Sequence, residues 1–368
     1  MAGSVRKEGT TWYYILERNE NGKRKQTKKR GFLTKKEAQK ALVEAQSSYE
    51  NGTYIKPSTL LLKDYMKERM LDKQHSISRG TVKVNESYIR THIIPILGDI
   101  PISKLNAMDV QRFTNLLMNN GLASSTVKRI YNILNTALNK AEKMQVIQKN
   151  VASLIDKPKV KRKELDVWTT DEINHFLYTA KSYRYYVAFH LAIMTGMRQG
   201  EILGLRWIDI DFERCQLVIR QTLSHDGKEF NVGAKTSSGI RSIALDSITI
   251  SHLERQKRIL ENEKNNALPP YFDNGLVIAT STGNQLFPRD LKKTFDRLIV
   301  KADLRKITFH DLRHTHASLL LQQNVHPKIV SERLGHSSIQ MTLDTYSHLM
   351  PNMQQQVADN LAKMLFPK

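Results

Sequence analysis

The chain has 368 residues, enough for two or three domains that each bury a core, and its 57 Lys+Arg against 36 Asp+Glu leave a formal net charge of +21. That excess points to a polyanion, nucleic acid first, with a ribosome-associated or generally basic protein as the alternative. A lone cysteine, Cys215, excludes an intrachain disulfide and a cysteine-based zinc site, and with neither an apolar leader nor a run near the roughly 20 apolar residues of a membrane span, a cytoplasmic protein with no membrane association is expected.

In chain order, Trp12 to Leu16 and Arg24 to Lys28 read as strands around Asn21-Gly22, a type I′ hairpin signal, and a helix from about Lys35 to Tyr49 follows, with Ala38, Ala41, Leu42 and Ala45 as its apolar stripe. The first 55 residues hold twelve Lys/Arg and six Asp/Glu. Arg24, Lys25, Lys28 and Lys29 on the second strand suit a β-ribbon that enters a major groove; the other reading is a charged edge strand that blocks aggregation. Residues 58–155 then read as four helices, Leu60 to Leu71, Arg79 to Ile94, Ala107 to Asn120 and Ser125 to Lys143. The last has Val127, Ile130, Leu134, Leu138 and Ala141 on one stripe and Ser124 or Ser125 as its N-cap. Lys128 and Arg129 lie off the stripe, where they either contact phosphate or simply solvate the helix. Between Lys157 and Lys163 five positive charges and Pro158 make a linker, 156–166, whose Lys161 and Arg162 are suited to track a phosphate backbone.

A capping box, Thr169 to Glu172, opens the next helix and the last region, 167–368. Gln216 to Arg220 and Gly239 to Leu245 are strand-like, and beyond Leu291 the chain is mainly helical. Arg198 and Glu201, three apart, can share a helix face, so that the carboxylate orients the guanidinium. Lys235 falls in a Gly/Ser turn between β-rich runs, where a lysine can reach a leaving oxygen. Downstream come His310-Asp311-Leu312-Arg313, then Gly335-His336, then Tyr346. A tyrosine so placed can attack a DNA phosphate, because arginines and imidazoles can neutralise the charge of the pentacoordinate transition state without a metal. Taken singly these residues mean little: Arg198 with Glu201 is an ordinary helical pair, and His310 with His314 is an i, i+4 pair that fits zinc only with a third ligand. Their order along the chain is what carries the reading. Gly233-Ala234-Lys235-Thr236 lacks the first glycine of a P-loop, and no acidic cluster suits a two-metal nuclease, so no cofactor and no metal are expected.

These segments resemble the tyrosine recombinase (phage integrase) family, motif by motif over the C-terminal half and in general layout over the N-terminal half. The resemblance implies a multidomain, mainly α protein with small β elements: a β-hairpin-plus-helix arm-binding domain (1–55), a helical, SAM-like core-binding domain (58–155) and a mixed α+β catalytic domain (167–368). It implies Tyr346 as nucleophile, Arg198, Arg313 and His336 as transition-state stabilisers, Lys235 as the acid that protonates the 5′ oxygen, His310 as an aid to proton transfer and Glu201 as support for Arg198. It further implies integration and excision of a mobile element through a 3′-phosphotyrosine, on double-stranded DNA with arm and core attachment sites, by a homotetramer, with a directionality factor for excision. A chromosome-dimer resolvase-type recombinase stays open, as does a non-catalytic regulator built on a helix-turn-helix over Pro327 to Leu334 and Ser338 to Leu349. A single-active-site topoisomerase ranks third. The C-terminal stripe of Val357, Leu361 and Leu365 fits docking on a neighbouring protomer or on its own domain.

Overall fold

A computed structural model of the chain describes residues 2–20, 23–50, 58–160, 165–233, 240–267, 271–346 and 353–366, and divides into two compact units, 1–162 and 163–368.

The first unit begins with β1 (Ala2–Glu8), β2 (Thr11–Glu20) and β3 (Lys23–Phe32), an antiparallel sheet in that order, followed by α1 (Lys35–Glu50). The expected hairpin is thus β2–β3, and a further strand pairs along β2 from Ala2↔Glu17 to Glu8↔Thr11. Residues 2–8 carry almost no apolar alternation, so only the partner strand marks them as a strand. Tyr14, Leu16 and Leu42 form a small core between the sheet and α1, and the rings of Tyr14 and Phe32 stack at 5.9 Å.

Four helical segments follow: α2 (Leu62–Lys73), α3 (Arg79–Tyr88) running through a π turn at Ile89–Ile93 into α4 (Ile94–Leu97), α5 (Ala107–Asn119) and α6 (Ser124–Lys143). The π turn has a local cause. Pro95 has no amide N–H, and its ring would crowd the carbonyl of Thr91 in a regular helix; the widened turn has Ile94 N bonding back to Ile89 O instead. All five residues of the α6 stripe are buried against α2, α4 and α5 side chains, and the hydroxyls of Tyr65 and Tyr131 donate to the carbonyls of Ala137 and Ala152. The α6 cap differs from expectation: Ala123 is the N-cap and Ser124 opens the helix, with no side-chain cap bond.

In the second unit, Thr169 and Glu172 form the expected reciprocal capping box at the start of α7 (Thr170–Ala180). Next, α8 (Tyr186–Thr195) is buried on every side, as its unbroken apolar run requires. After α9 (Gln199–Leu203) come β4 (Ile210–Asp211), β5 (Gln216–Ile219), β6 (Gln221–Leu223), β7 (Phe230–Val232) and β8 (Arg241–Ala244), arranged as one sheet β4-β5-β8 and one pair β6-β7. The remainder is helical: α10 (Ser247–Asn266), α11 (Pro288–Lys301), α12 (Asp311–Gln322), α13 (Pro327–Leu334), α14 (Ile339–Tyr346) and α15 (Met353–Leu365). Trp168, Phe176, Phe189, Phe295 and Phe309 make an aromatic centre around α8. Trp168 also ties the start of the unit to its far end, its N–H bonding Thr315 Oγ1 and its Nε1 bonding the Arg305 carbonyl. Among the described residues no helix is long and apolar enough to cross a membrane.

Candidate active site

Two left-handed glycines set the frame. Gly196 (φ 66°) ends α8, and its carbonyl accepts from Nη1 of Arg313 at 2.8 Å; Gly335 (φ 67°) ends α13, and a Cβ there would lie 2.7 Å from Nη1 of Arg241. A side chain at Gly335 would displace the Arg241 guanidinium, and one at Gly196 would press on His316 and Leu334, each 2.7 Å from its Cβ.

Arg198 does not share a helix face with Glu201, as the spacing suggested; it is the extended N-cap of α9 (ψ 151°). Glu201 at the third helical position reaches back, accepting the Arg198 backbone N–H at 2.8 Å on Oε2 and its Nη1 at 2.8 Å on Oε1. The same carboxylate accepts Nη1 and Nη2 of Arg241 at 3.1 and 2.9 Å, from a strand 40 residues away. Burial pushes the Glu201 carboxyl up, but its bonds to Arg241 and then Arg198 outweigh this and hold it below the usual range. Arg241 is fully engaged, its Nε donating to the Arg333 carbonyl at 2.8 Å. Arg198, by contrast, keeps 42% of its side chain exposed, so its guanidinium is both fixed and open.

Arg313 projects from the first turn of α12 and is only 3% exposed. Beyond the bond to Gly196, its Nη2 is buried without an acceptor. Burial, with Arg198 next, pulls this guanidinium down to about 9, still charged near neutrality. A buried, positively charged donor that lacks a partner is costly, and an anion beside Arg198 would satisfy it.

His336 follows Gly335, and its Nδ1 is 2.8 Å from Thr342 Oγ1. Burial first, then Arg313 and Arg198, depress this imidazole to about 4, so it is neutral; in the tautomer whose Nδ1 accepts from Thr342, Nε2 carries the proton and can donate to an oxyanion. His310 is depressed to about 4 as well, by partial burial and then His314 and Arg313, although the residue reaches the surface. Tyr346 closes α14, 1% exposed, its ring among Ala317, Leu321, Val330 and Leu334. Its phenol is 2.6 Å from Nδ1 of His314 and is raised to about 12 by burial, against the pull of Arg313.

Arg198, Glu201, Arg313 and His336 therefore converge, Tyr346 lies within electrostatic reach of Arg313, and His310 stands edge-on to His314 at 5.0 Å. Lys235 lies outside the described residues, between β7 and β8. Arg241 and His314 are the participants that pattern reading misses. The alternation of Arg241 and Ile243 as inward positions of β8 is the one local sign that Arg241 is buried. Rather than joining His310 at a metal, His314 turns its Nδ1 to Tyr346.

The basic residues expected at DNA are dispersed. On β3, Lys28 pairs with Ile15 on the face away from α1, where its Nζ lies 3.1 Å from Glu8 and 3.7 Å from the Tyr13 ring centre. Lys29 is paired with Tyr14, so strand alternation puts it and Lys25 on the opposite face from Lys28; Arg24 is in register with Asn19. Lys128 and Arg129 are exposed on α6, and the Arg129 guanidinium stacks 5.6 Å from the Tyr88 ring centre. Lys161 and Arg162 lie outside the described residues.

Comparison with known proteins places the chain as a whole. Residues 165–353 match the phage integrase family, residues 4–49 an arm DNA-binding domain, and residues 61–118 the N-terminal SAM-like domain of phage integrases. A tyrosine recombinase XerC-like protein of Caldanaerobacter subterraneus subsp. tengcongensis is 31% identical over 96% of this chain and 97% of that protein. The ICEBs1 integrase of Bacillus subtilis is 28% identical over 76% of this chain and 77% of its own length. In fold, the chain matches the Tn1549 transposon integrase in complex with a circular intermediate DNA (TM-score 0.72, 21% identity, 82% of this chain and 100% of that one). It also matches a lambda integrase tetramer bound to a Holliday junction (TM-score 0.62, 20% identity, 96% and 95%). With residues 165–353, about half of the chain, matched to the family and a relative above 30% identity aligned over nearly its whole length, the chain belongs to the phage integrase family and is a tyrosine site-specific recombinase.

Proposed function

We propose that this integrase cuts and rejoins double-stranded DNA through Tyr346, which attacks the scissile phosphorus and leaves a 3′-phosphotyrosine, while Lys235 protonates the departing 5′ oxygen. Arg198 and Arg313 hold the non-bridging oxygens, His336 donates to them, His310 assists proton transfer and Glu201 fixes Arg198. The observation that carries this reading is the buried, unpartnered Nη2 of Arg313 beside the open guanidinium of Arg198: two cations lacking a shared anion, in a unit that also buries a tyrosine. The helix-turn-helix alternative loses its support, since the turn between α13 and α14 supplies Gly335 and His336 to this site and α14 ends on Tyr346.

In this reading residues 1–55 bind arm sites, 58–155 grip the core site, 167–368 perform the chemistry, and 156–166 link the core-binding and catalytic regions. The arm match at residues 4–49 supports a mobile-element integrase over a chromosome-dimer resolvase. The tetramer in which the lambda relative was solved on a Holliday junction supports a homotetramer of this chain on DNA. A directionality factor would bias excision, and the work would be done in the cytoplasm.

The test is covalent trapping on a nicked duplex bearing the attachment sites that flank the element. Wild-type protein should give a DNA-linked band in a denaturing gel, and Tyr346→Phe, which loses only the attacking oxygen, should give none while still binding. A band that survives in Tyr346→Phe overturns the assignment.

A further inference from the structure

For the phenol of Tyr346 to attack phosphorus, its proton must go somewhere. We propose that His314, and not His310, receives it. The inference deepens the proposed function and rests on Tyr346 as the nucleophile.

Nδ1 of His314 is 2.6 Å from the phenolic oxygen, a short hydrogen bond across 32 residues of sequence, and it is made by the very atom that would form the new bond to phosphorus. His314 is one turn along α12 from His310 and directly follows Arg313, so one short stretch of helix carries both the proton acceptor and an arginine proposed to hold the phosphate. His310 is less well placed. Its ring meets His314 edge-on at 5.0 Å, and among the described residues no hydrogen bond joins it to Tyr346.

The protonation states agree. Burial keeps the His314 imidazole below its ordinary value, with Asp311 pulling it up and Arg313 pushing it down, so it is neutral and Nδ1 can offer a lone pair. The buried phenol, raised to about 12, stays protonated until it is needed. A phosphate arriving at Arg198 and Arg313 cancels positive charge near His314 and favours its imidazolium. As the Tyr346 Oη–P bond forms, the phenolic proton passes to Nδ1 of His314 and the P–O5′ bond breaks, its electron pair leaving on the 5′ oxygen, which takes a proton from Lys235. Rejoining runs the same transfers backwards: the 5′ hydroxyl attacks phosphorus, its proton returns to Lys235, and His314 gives its proton back to the phenolate.

The experiment combines substitutions at 314 and 310 with difluorotyrosine, a more acidic phenol, introduced at 346 in the full-length protein. Single-turnover cleavage of a nicked duplex should slow by about 10²- to 10⁴-fold in His314→Ala, the range for losing a general base. His314→Gln, whose amide can hydrogen-bond the phenol but cannot take its proton, should be comparably slow and guards against a folding defect in the alanine variant. Difluorotyrosine should restore most of the rate in both His314 variants and little in His310→Ala. Near-wild-type cleavage by His314→Gln, or rescue that is absent or equal at both histidines, overturns the proposal. Tyr346→Phe, read separately, reports on the nucleophile itself, so that failure of the base assignment and failure of the nucleophile assignment are distinguishable.

Discussion

Arg241 shows how much of this site depends on a residue that never needs to touch DNA. Its side chain is 7% exposed, both terminal nitrogens bond Glu201, and its Nε caps the end of α13 through the Arg333 carbonyl. Removing one member of a buried pair leaves the other charge without its partner, at a cost of about 3–5 kcal/mol. Because Arg198 still contacts Glu201, Arg241→Ala should fall at the lower end, about 3 kcal/mol in urea unfolding of the full chain. DNA cleavage should drop along with it, since Glu201 then orients Arg198 with only half its support; unchanged unfolding and cleavage would mean that the Glu201 clamp is not needed. At the same scale, the 3-residue pair Arg198–Glu201 was legible in the sequence because both residues lie in one local turn, although the turn is a helix cap rather than a helix face. The contacts of Glu201 with Arg241 and of His314 with Tyr346 span 40 and 32 residues, and no local period encodes them.

Among the elements, the N-terminal sheet with α1 forms its own small core of Tyr14, Leu16 and Leu42, distinct from the helical core around Tyr131 and Phe113. Deleting residues 1–55 therefore spares the packing of the helices and of the second unit. The truncated protein should retain weak cleavage at the crossover site and lose binding to distal arm sites, measured by gel shift on separate arm and core duplexes. Full arm-site affinity in the truncated protein would show that the sheet is not the reader. Helices with a continuous stripe, such as α6, were recognisable from period alone, because one face must be buried. The π turn at Ile89–Ile93 and the strand Ala2–Glu8 were not: the first is a response to Pro95, and the second exists through its register with β2.

For the whole molecule, the net charge of +21 is the dominant physical quantity. Lysine and arginine contacts to phosphate release counterions, so affinity for a duplex should fall steeply with salt. An interface of 6–10 phosphate contacts loses about 10³- to 10⁵-fold between 50 and 200 mM. A loss of that size is expected for the intact protein by fluorescence anisotropy, with a shallower slope once residues 1–55, with their twelve positive and six negative charges, are removed. A nearly flat dependence would point instead to readout by uncharged contacts. Charge, hydrophobic period and capping signals are properties of the chain read in one dimension, so the polyanion preference, the stripe of α6 and the Thr169 capping box were legible there, while the roles proposed for Arg198, Lys235, His310, Arg313, His336 and Tyr346 came from the resemblance that their order carries. Only the tertiary structure decided that Arg241 shares Glu201, that Arg313 keeps a buried nitrogen unpartnered, and that the phenol of Tyr346 meets His314. Those are matters of distance between remote segments, set by how α12 packs against α8 on one side and α13 and α14 on the other and by how β8 meets α9, and invisible until they do.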